Sequence, residues 1–369
     1  MSAAAKRNYA RVISADSHLM EPRDLWEKTL IPKFGDRAPR RMSEYKGEKG
    51  NFFNMVYRVY RLKDSPVETN EIQALQSAAG HDPAARVRFQ DMAMLDAEVL
   101  HATTTSHIMH ALDVPVVEAA ASVFNDWSAE FCSHDPKRLI GVGAIPTFNI
   151  PWAVNEVKRI RQKGLRGAMI TLGLPEDKYP PYRDPAYDPL WAAAQDLDMP
   201  ITLHAIAGRV PDPIHFEPKD LGKLPGTYIS LMFEMLPIVA GEFIFGGILD
   251  RFPKLKLVLG EFEVSWVPLY NFRLARIQTI MKSRGVTPLK MDAVDYMKTR
   301  VWHGMVNDPY APQVRELAGV SQIMWGSDYP HGRSIGIEAQ DVLPKIFEGV
   351  PPDEQERIIG GNVAHVYSI

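Results

Sequence analysis

The stretch Gln322-Ile323-Met324-Trp325-Gly326-Ser327-Asp328 decides the fold class, because a short apolar run ends there in glycine, serine and a carboxylate. Short apolar runs recur along the chain, and several lack polar and apolar alternation, which is typical of strands buried on both faces. We predict eight strands, at Arg11–Ala15, Leu100–Ser106, Leu139–Ala144, Gly167–Ile170, Pro200–Leu203, Lys256–Leu259, Arg300–Trp302 and Gln322–Trp325.

Helical stretches are predicted between these strands. They are Val116–Ser133, Pro151–Lys163, Asp188–Leu197, Trp266–Ser283 and Pro312–Leu317. Strands that alternate with helices indicate an α/β protein with parallel strands. With eight such units, the sheet is either a closed barrel or an open, doubly wound sheet.

Two stretches interrupt this alternation. Residues 33–93 are long, polar and mixed, so we expect an inserted cap or lid after the first strand. Residues 208–226 are rich in proline, glycine and charge, and are predicted to form a long loop after the fifth strand. No internal repeat is present, and a barrel commonly runs to this length as one domain, so we predict a single domain over residues 1–369. No nucleotide-binding glycine motif is present, so we expect no nucleotide cofactor.

Composition excludes several classes of partner. The chain has 369 residues, a formal net charge of -3 and no basic block, so we expect no nucleic-acid partner. No apolar run is long enough to span a bilayer and no leader is visible, which predicts a cytoplasmic protein without a membrane partner. We expect a small-molecule substrate, and the apolar stretch Leu231–Leu249 suggests a homodimer.

Potential metal ligands collect just beyond the predicted strand ends. Parallel strands in a barrel end on one face, where barrel active sites lie, so distant residues would converge there. The candidates for metal ligands are Asp16, His18, His204, Glu261, His303 and Asp328. Other histidines are given lesser roles: His107 and His110 as pocket residues, His331 behind the ligands, and His101, His134, His215 and His365 as structural.

The chemistry of these side chains fits a divalent cation. Imidazole and carboxylate groups bind Zn, Mn or Fe, and a site with an open position can activate water. Asp16 and His18 lie two residues apart, so in an extended segment both side chains point the same way. For catalysis the candidates are Glu261 and Asp328 as bases and His303 as a ligand or oxyanion contact.

Two motifs resemble those of a known family. Ala15-Asp16-Ser17-His18-Leu19-Met20-Glu21-Pro22 resembles the opening motif of amidohydrolase-related proteins, in the branch that includes aminocarboxymuconate-semialdehyde decarboxylase. Trp325-Gly326-Ser327-Asp328-Tyr329-Pro330-His331 resembles the strand-eight motif of that branch. Between and after these motifs, the family order is matched by Asn125-Asp126-Trp127, Asp135-Pro136-Lys137-Arg138-Leu139, Leu203-His204 and the tail Gly361-Asn362-Val363-Ala364-His365-Val366-Tyr367.

The resemblance implies a (β/α)₈ TIM barrel with a metal at the carboxyl ends of the strands. Carried over by position, the ligands would be Asp16, His18, His204 and Asp328.

Two departures from the family pattern bear on the reaction. Asp16-x-His18 replaces the His-x-His or Glu-x-His that is usual in these decarboxylases. Glu261 stands where they usually carry a catalytic histidine, and an ordinary glutamate, with a pKa of about 4.3, is a poor proton donor at neutral pH.

Four functions remain open from the sequence. We place hydrolysis first, with metal-activated water attacking a C–N, C–O or activated C–C bond of a small organic acid or derivative. Oxidation by a dinuclear non-haem iron centre follows, because the six candidate ligands are enough for two ions. Non-oxidative decarboxylation comes close behind, and a barrel that has lost its metal and only binds a partner comes last.

Overall fold

The computed structural model describes residues 7–62, 70–175, 177–205, 207, 233–286, 289–331 and 334–369. Eight parallel strands form one sheet, in the order in which they occur along the chain. These strands are β1 (Ile13–Leu19), β5 (Ala97–Ala102), β6 (Leu139–Ile145), β7 (Gly167–Ile170), β8 (Ile201–His204), β9 (Leu257–Gly260), β10 (Val301–Met305) and β11 (Ile323–Trp325).

The sheet closes between its first and last strands. Ser17 of β1 forms an isolated parallel bridge with Tyr329, just beyond β11. The main-chain amide of His18 donates to the carbonyl of Tyr329 at 2.6 Å, and that of Asp328 donates to the carbonyl of Asp16 at 2.8 Å. The predicted (β/α)₈ barrel is therefore confirmed.

Helices surround the barrel and connect its strands. The α-helices are Glu27–Phe34, Glu71–Ala79, Pro83–Ala93, Thr104–Ile108, Val114–Ser133, Ile150–Gln162, Asp188–Asp196, Leu236–Ile238, Ile248–Arg251, Val267–Ser283, Ala293–Thr299, Ala311–Ala318, Ala339–Ile346, Pro352–Glu356 and Asn362–Tyr367. The 3₁₀ turns are Gly35–Arg37, Pro185–Tyr187 and Val320–Gln322, and the π-helical turns are Val239–Ile244 and Arg357–Gly361. Each of the five helices predicted from the sequence is present, with ends shifted by no more than two residues.

The first strand extends further than predicted. Asp16 and His18 lie inside β1, which runs from Ile13 to Leu19, and do not follow a strand that ends at residue 15. The pairing with β5 shifts between Ser14 and Ser17, which marks a bulge. A bulge changes the direction in which the neighbouring side chains point, and this one lies beside the candidate ligands Asp16 and His18.

The second predicted strand was placed too late in the chain. β5 ends at Ala102, and the β-branched run after it forms the helix Thr104–Ile108. The carboxylate of Glu21 accepts hydrogen bonds from the main-chain amides of Thr104 and Thr105 at 2.8 and 2.9 Å. The main-chain N–H groups of the first helical turn have no acceptor within the helix, and here the Glu21 carboxylate supplies one. This carboxylate, which is distant in sequence, therefore stabilises a helix despite the β propensity of the threonines.

The segment between β1 and β5 contains a sheet of its own. β2 (Arg40–Tyr45), β3 (Glu48–Asn54) and β4 (Val59–Arg61) form a three-stranded antiparallel sheet, separate from the barrel. The helix Pro83–Ala93 buries Arg86, Phe89 and Gln90, and Arg86 and Gln90 contact β5. That helix therefore belongs to the layer around the barrel. Residues 63–69 and the predicted loop 208–226 lie outside the described residues.

Two apolar clusters form the core. One lies between the strands and the surrounding helices, and includes Leu257, Val301 and Met305. The other includes Val258 and Trp302, which alternate with those residues along β9 and β10 and so face the barrel interior. Within the described parts of the chain, no helix is both long enough and apolar enough to cross a bilayer.

Candidate metal centre

Three candidate ligands meet at the carboxyl ends of the first and fifth barrel strands. Asp16 and His18 share one side of β1, and His204 is the last residue of β8. The Asp16 carboxylate lies 3.2 Å from Nε2 of His204 and 3.4 Å from Nε2 of His18. All three side chains are buried, so the residues that the sequence analysis placed together are brought together.

Asp328 approaches the same point from the last strand. Its Oδ1 lies 3.4 Å from Nε2 of His18, and a second possible ligand group combines His18, Asp328 and His331. Asp328 has φ of 54°, a left-handed conformation that a non-glycine residue seldom adopts. Such conformations persist where the surrounding structure imposes them, often at functional sites.

Two glycines allow the ligands to lie this close. A Cβ atom at Gly326 would lie 2.6 Å from Cβ of Asp16, and one at Gly260 would lie 2.6 Å from Cδ2 of His204. Real Cβ atoms do not approach so closely, so any side chain at either position would push a ligand away. Steric crowding thus explains why the residue before Ser327-Asp328 in the strand-eight motif is a glycine.

A buried cation fits this arrangement. Oδ2 of Asp16, Nε2 of His18 and Oδ1 of Asp328 are buried and make no hydrogen bond to any described residue. Burying such groups without a partner is costly, whereas a divalent ion satisfies them together. The donor set of carboxylate and imidazole suits Zn, Mn or Fe. Asp16, His18, His204 and Asp328 would hold the ion.

The charges of the ligands are strongly coupled. Burial works against ionisation of Asp16, but the charge and hydrogen bond of His204, together with the nearby His18, outweigh it, so the pKa of Asp16 is held well below its usual value. Burial lowers the pKa of His18 to about 3. Burial also opposes protonation of His204, yet Asp16 beside it raises the pKa of His204 to about 10.

The remaining carboxyl groups are hard to ionise. Burial, with Asp16 and Glu261 nearby, raises the pKa of Asp328 to about 9. Burial also raises the pKa of Glu261 to about 7, against the attraction of His204. Asp16, Asp328 and Glu261 lie close together, so their negative charges would repel one another and their simultaneous ionisation is unfavourable without a nearby positive charge. A bound divalent cation would supply that charge and reverse the preference for the protonated forms.

Glu261 lies at the edge of the ligand group. Its Oε2 is 3.9 Å from Nδ1 of His204, and 34% of its side chain is exposed, against 3% for His204. Glu261 has φ of 63° and Glu263 has φ of 56°, so the loop after β9 holds two carboxyl groups in left-handed conformations. Glu261 therefore faces the open side of the site, where a proton can be exchanged with solvent.

His303 does not reach the site. It shares the outward face of β10 with Val301 and Met305, and its ring packs edge-on against Trp266 at 5.7 Å. Burial alone lowers its pKa to about 3, with no contribution from Asp16 or His204. The prediction of His303 as a ligand and catalytic residue is therefore corrected: one step along a strand reverses the side a residue faces.

Replacing His303 with leucine is expected to leave the metal content unchanged. Neither ring nitrogen of His303 has a hydrogen-bond partner among the described residues, so loss of the imidazole should also leave the free energy of unfolding equal or higher. His204→Leu, a matched change of a buried histidine, should weaken metal binding by roughly 100-fold or more. Metal titration of both variants is the measurement, and equal losses would restore His303 to the site.

His101 is a site residue that the sequence analysis left as structural. It pairs with His18 across β1 and β5, lies 3.9 Å from the Asp16 carboxylate, and its ring centre is 4.9 Å from that of His204. Neither of its ring nitrogens has a hydrogen-bond partner in the described chain. His331, which was placed behind the ligands, has its ring 4.2 Å from His18. The only signal for His101 was its place near the true end of β5.

The small antiparallel sheet contributes a wall beside the site. The turn between β3 and β4 places the Tyr57 ring on that of His110, with centres 5.5 Å apart, and His110 stacks on His107 at 5.9 Å. Arg58 in the same turn lies over the Tyr60 ring. His107 is close enough to His331 for their charges to interact. The rings of Tyr57, His110 and His107 thus form a row that extends from the turn towards the candidate ligands. His107 and His110, which were predicted to line a pocket, belong to this row.

A buried polar network supports the ligands from behind. Arg86 and Glu98, both fully buried, form a paired contact at 2.6 and 3.0 Å. Glu98 also accepts from Oγ of Ser17 at 2.9 Å, and Ser17 lies 2.9 Å from Oγ of Ser327. Arg86 donates to the carbonyl of His18 at 3.0 Å. The residues next to Asp16, His18 and Asp328 are therefore joined through one ion pair.

Residues 76–369 match the sequence model of the amidohydrolase family. That match covers most of the chain and includes His204 and Asp328. The chain belongs to the amidohydrolase family. The resemblance inferred from the sequence motifs is thereby confirmed, together with the barrel that the family implies.

Curated relatives of this amidohydrolase include decarboxylases. A gamma-resorcylate decarboxylase from Polaromonas sp. is 24% identical over 279 residues, which cover 70% of this chain and 82% of the relative. A 2-amino-3-carboxymuconate-6-semialdehyde decarboxylase from Dictyostelium discoideum is 24% identical over 293 residues, or 76% of this chain and 75% of the relative. These relatives match the decarboxylase alternative better than the hydrolase that the sequence analysis placed first.

Solved structures share the fold over nearly the whole chain. An amidohydrolase from Mycobacterium avium subsp. paratuberculosis has a TM-score of 0.78 and 20% identity, with 98% of this chain and 99% of that chain covered. A 5-carboxyvanillate decarboxylase from Novosphingobium aromaticivorans, complexed with manganese and 4-hydroxy-3-methoxy-5-nitrobenzoic acid, has a TM-score of 0.69 and 18% identity, with 99% and 98% covered. At these identities the likeness establishes the fold.

Proposed function

We propose that this amidohydrolase is a divalent-metal-dependent, non-oxidative decarboxylase of a small carboxylic acid, most simply a hydroxylated aromatic one. The observation that carries the proposal is that the curated relatives, matched over 70% or more of this chain, are decarboxylases. The buried ligand group and the aromatic wall support it. Manganese, which a decarboxylase of the same fold binds, suits the carboxylate and imidazole donors.

The reaction breaks one C–C bond and forms one C–H bond. The carboxylate leaves as CO₂, the bonding electron pair stays on the ring carbon, and that carbon then takes a proton. A divalent cation held by Asp16, His18, His204 and Asp328 would supply the positive charge that orients the substrate's oxygen atoms and stabilises developing negative charge. The rings of Tyr57, His107 and His110 would exclude water from one side of the substrate.

The chain offers two carboxyl groups that can carry the proton. Asp328 lies among the ligands, whereas Glu261 lies at their edge with its side chain partly exposed. Glu261 is the better candidate on position, because it can be reprotonated from solvent after each turnover. It also occupies the place where the resembled decarboxylases usually carry a histidine. In this proposal a glutamic acid does the work of that histidine.

The test is carbon dioxide release from protein loaded with Mn²⁺. 2,6-Dihydroxybenzoate and 5-carboxyvanillate are suitable first substrates, with product and CO₂ expected in equal amounts. In D₂O one deuterium should appear at the vacated carbon. Protein stripped by a chelator serves as the control. Hydrolysis of esters or amides without CO₂ release from any acid would sink the proposal, and oxygen consumption with bound iron would revive the oxygenase alternative.

Changing Glu261 to glutamine is expected to lower kcat by roughly 10²- to 10⁴-fold, the usual contribution of general acid–base catalysis, with metal content unchanged. Glutamine keeps the shape but cannot transfer the proton. Glu261→His should recover part of the lost rate, because imidazole can do so. Rates and metal content are measured together for both variants. A Glu261→Gln protein that loses its metal would instead make Glu261 a ligand.

A further inference from the structure

A basic cavity lies at the end of the barrel opposite the metal centre. It has a volume of about 760 Å³ and adjoins the amino ends of β9, β10 and β11. Its charged lining comprises five Lys or Arg residues and one Asp, namely Lys254, Lys256, Lys298, Arg300, Arg357 and Asp198. The chain as a whole carries a net charge of -3, so this concentration of positive charge is local.

Most of these cations lack a counter-ion. Asp198 is already used, because its Oδ1 lies 2.8 Å from Nζ of Lys256 and its Oδ2 accepts from Ser368. Four cations make no side-chain ion pair or hydrogen bond within the described parts of the chain: Lys254, Lys298, Arg300 and Arg357. Three of them are exposed and solvated, but Arg300 is half-buried. Arg300 thus presents guanidinium N–H groups that no described residue accepts, and a guanidinium group pairs well with an anion.

One residue that lines the cavity also carries a buried donor without an acceptor. Trp302 lines it and is 5% exposed, and its indole Nε1 has no hydrogen-bond partner among the described residues. Buried N–H groups are usually paired, so an orphaned one needs an explanation. The tail motif borders the same space through Gly361, Asn362 and His365. An anionic group in the cavity would pair with Arg300.

We propose that this basic cavity binds a small polyanion, a phosphorylated or polycarboxylate metabolite, at a site separate from the metal centre. Arg300 would bind it through the guanidinium group, and Lys298 and Arg357 would add charge at the rim. More than one cation faces the space, which favours a ligand with at least two negative charges. The site does not depend on the reaction proposed for the other end of the barrel.

Titration calorimetry with pyrophosphate and with citrate on the full chain tests the site. We expect saturable binding of one anion per chain, and the tighter of the two probes tells phosphate from carboxylate chemistry. Arg300→Gln should weaken it by about tenfold or more, the effect of one charge-assisted hydrogen bond. Lys298→Gln, at an exposed position that does not endanger folding, should weaken it in the same direction.

Two further variants locate the anion. Arg273→Gln removes an exposed arginine of the helix Val267–Ser283, and should change nothing. Asp16→Asn alters the metal centre, and binding of the anion should persist in it. The proposal is overturned if neither probe binds saturably, if Arg273→Gln weakens binding as much as Arg300→Gln, or if binding disappears with Asp16→Asn.

Discussion

Replacing Asp16 with asparagine is expected to lower the affinity for Mn²⁺ by more than roughly 100-fold and to abolish measurable turnover. Loss of a residue that only supports a ligand costs 10- to 100-fold, and Asp16 contacts His18 and His204 directly. Asparagine has the same shape, so the barrel should still form. Metal content after dialysis and the Kd from titration are the measurements.

The matched control for this change is Asp24→Asn. Asp24 is exposed and lies a few residues beyond β1, so its loss should affect neither metal content nor rate. An Asp16→Asn protein that keeps one Mn²⁺ per chain at unchanged affinity would contradict the ligand assignment. It would also remove the metal from the proposed decarboxylation.

Replacing Arg86 with methionine is expected to lower the free energy of unfolding by about 3–5 kcal/mol, the usual effect of removing one partner of a buried ion pair. Methionine fills much of the space but leaves the Glu98 carboxylate buried without its cation. The carbonyl of His18 also loses a donor. Urea unfolding monitored by circular dichroism measures the change.

A more exposed ion pair, formed by Asp91 of the same helix with Arg138, provides the comparison. Arg138 lies 2.7 Å from Asp91 with its side chain 23% exposed and that of Asp91 62% exposed, so Arg138→Met should cost less than about 1 kcal/mol. The double variant Arg86→Met with Glu98→Gln should be less destabilised than the sum of the single changes, because the unpaired charge is gone. Additive effects would show that Arg86 and Glu98 do not act as a pair.

The positions of most strands and the grouping of most candidate ligands could be predicted because the barrel imposes a simple order on the sequence. Polar residues after apolar runs end on one face in any parallel barrel, so Asp16, His204 and Asp328 could be grouped before the structure was known. The reaction could not be predicted in the same way. The candidate ligands suit a hydrolase as well as a decarboxylase, and the relatives favour the decarboxylase.

The errors arose where one residue of register decides the outcome. His303 and His101 both lie near strand ends, yet His303 faces the helices and His101 faces the candidate ligands. Apolar runs without alternation do not reveal which face is which. The run after Ala102 was placed in a strand because its helical alternative depends on Glu21, more than eighty residues earlier. Neighbours in sequence could not supply that information.

The three-stranded sheet of β2, β3 and β4 has a consequence for how such an enzyme changes over generations. It shares no ladder with the barrel, yet its turn carries Tyr57 onto the ring of His110, and Arg58 lies in the same turn. A heritable change in that turn can therefore alter which substrates fit beside the site while the candidate metal ligands stay unchanged. Natural selection can therefore change the substrate specificity and the catalytic residues separately, because the two are encoded in different parts of the gene.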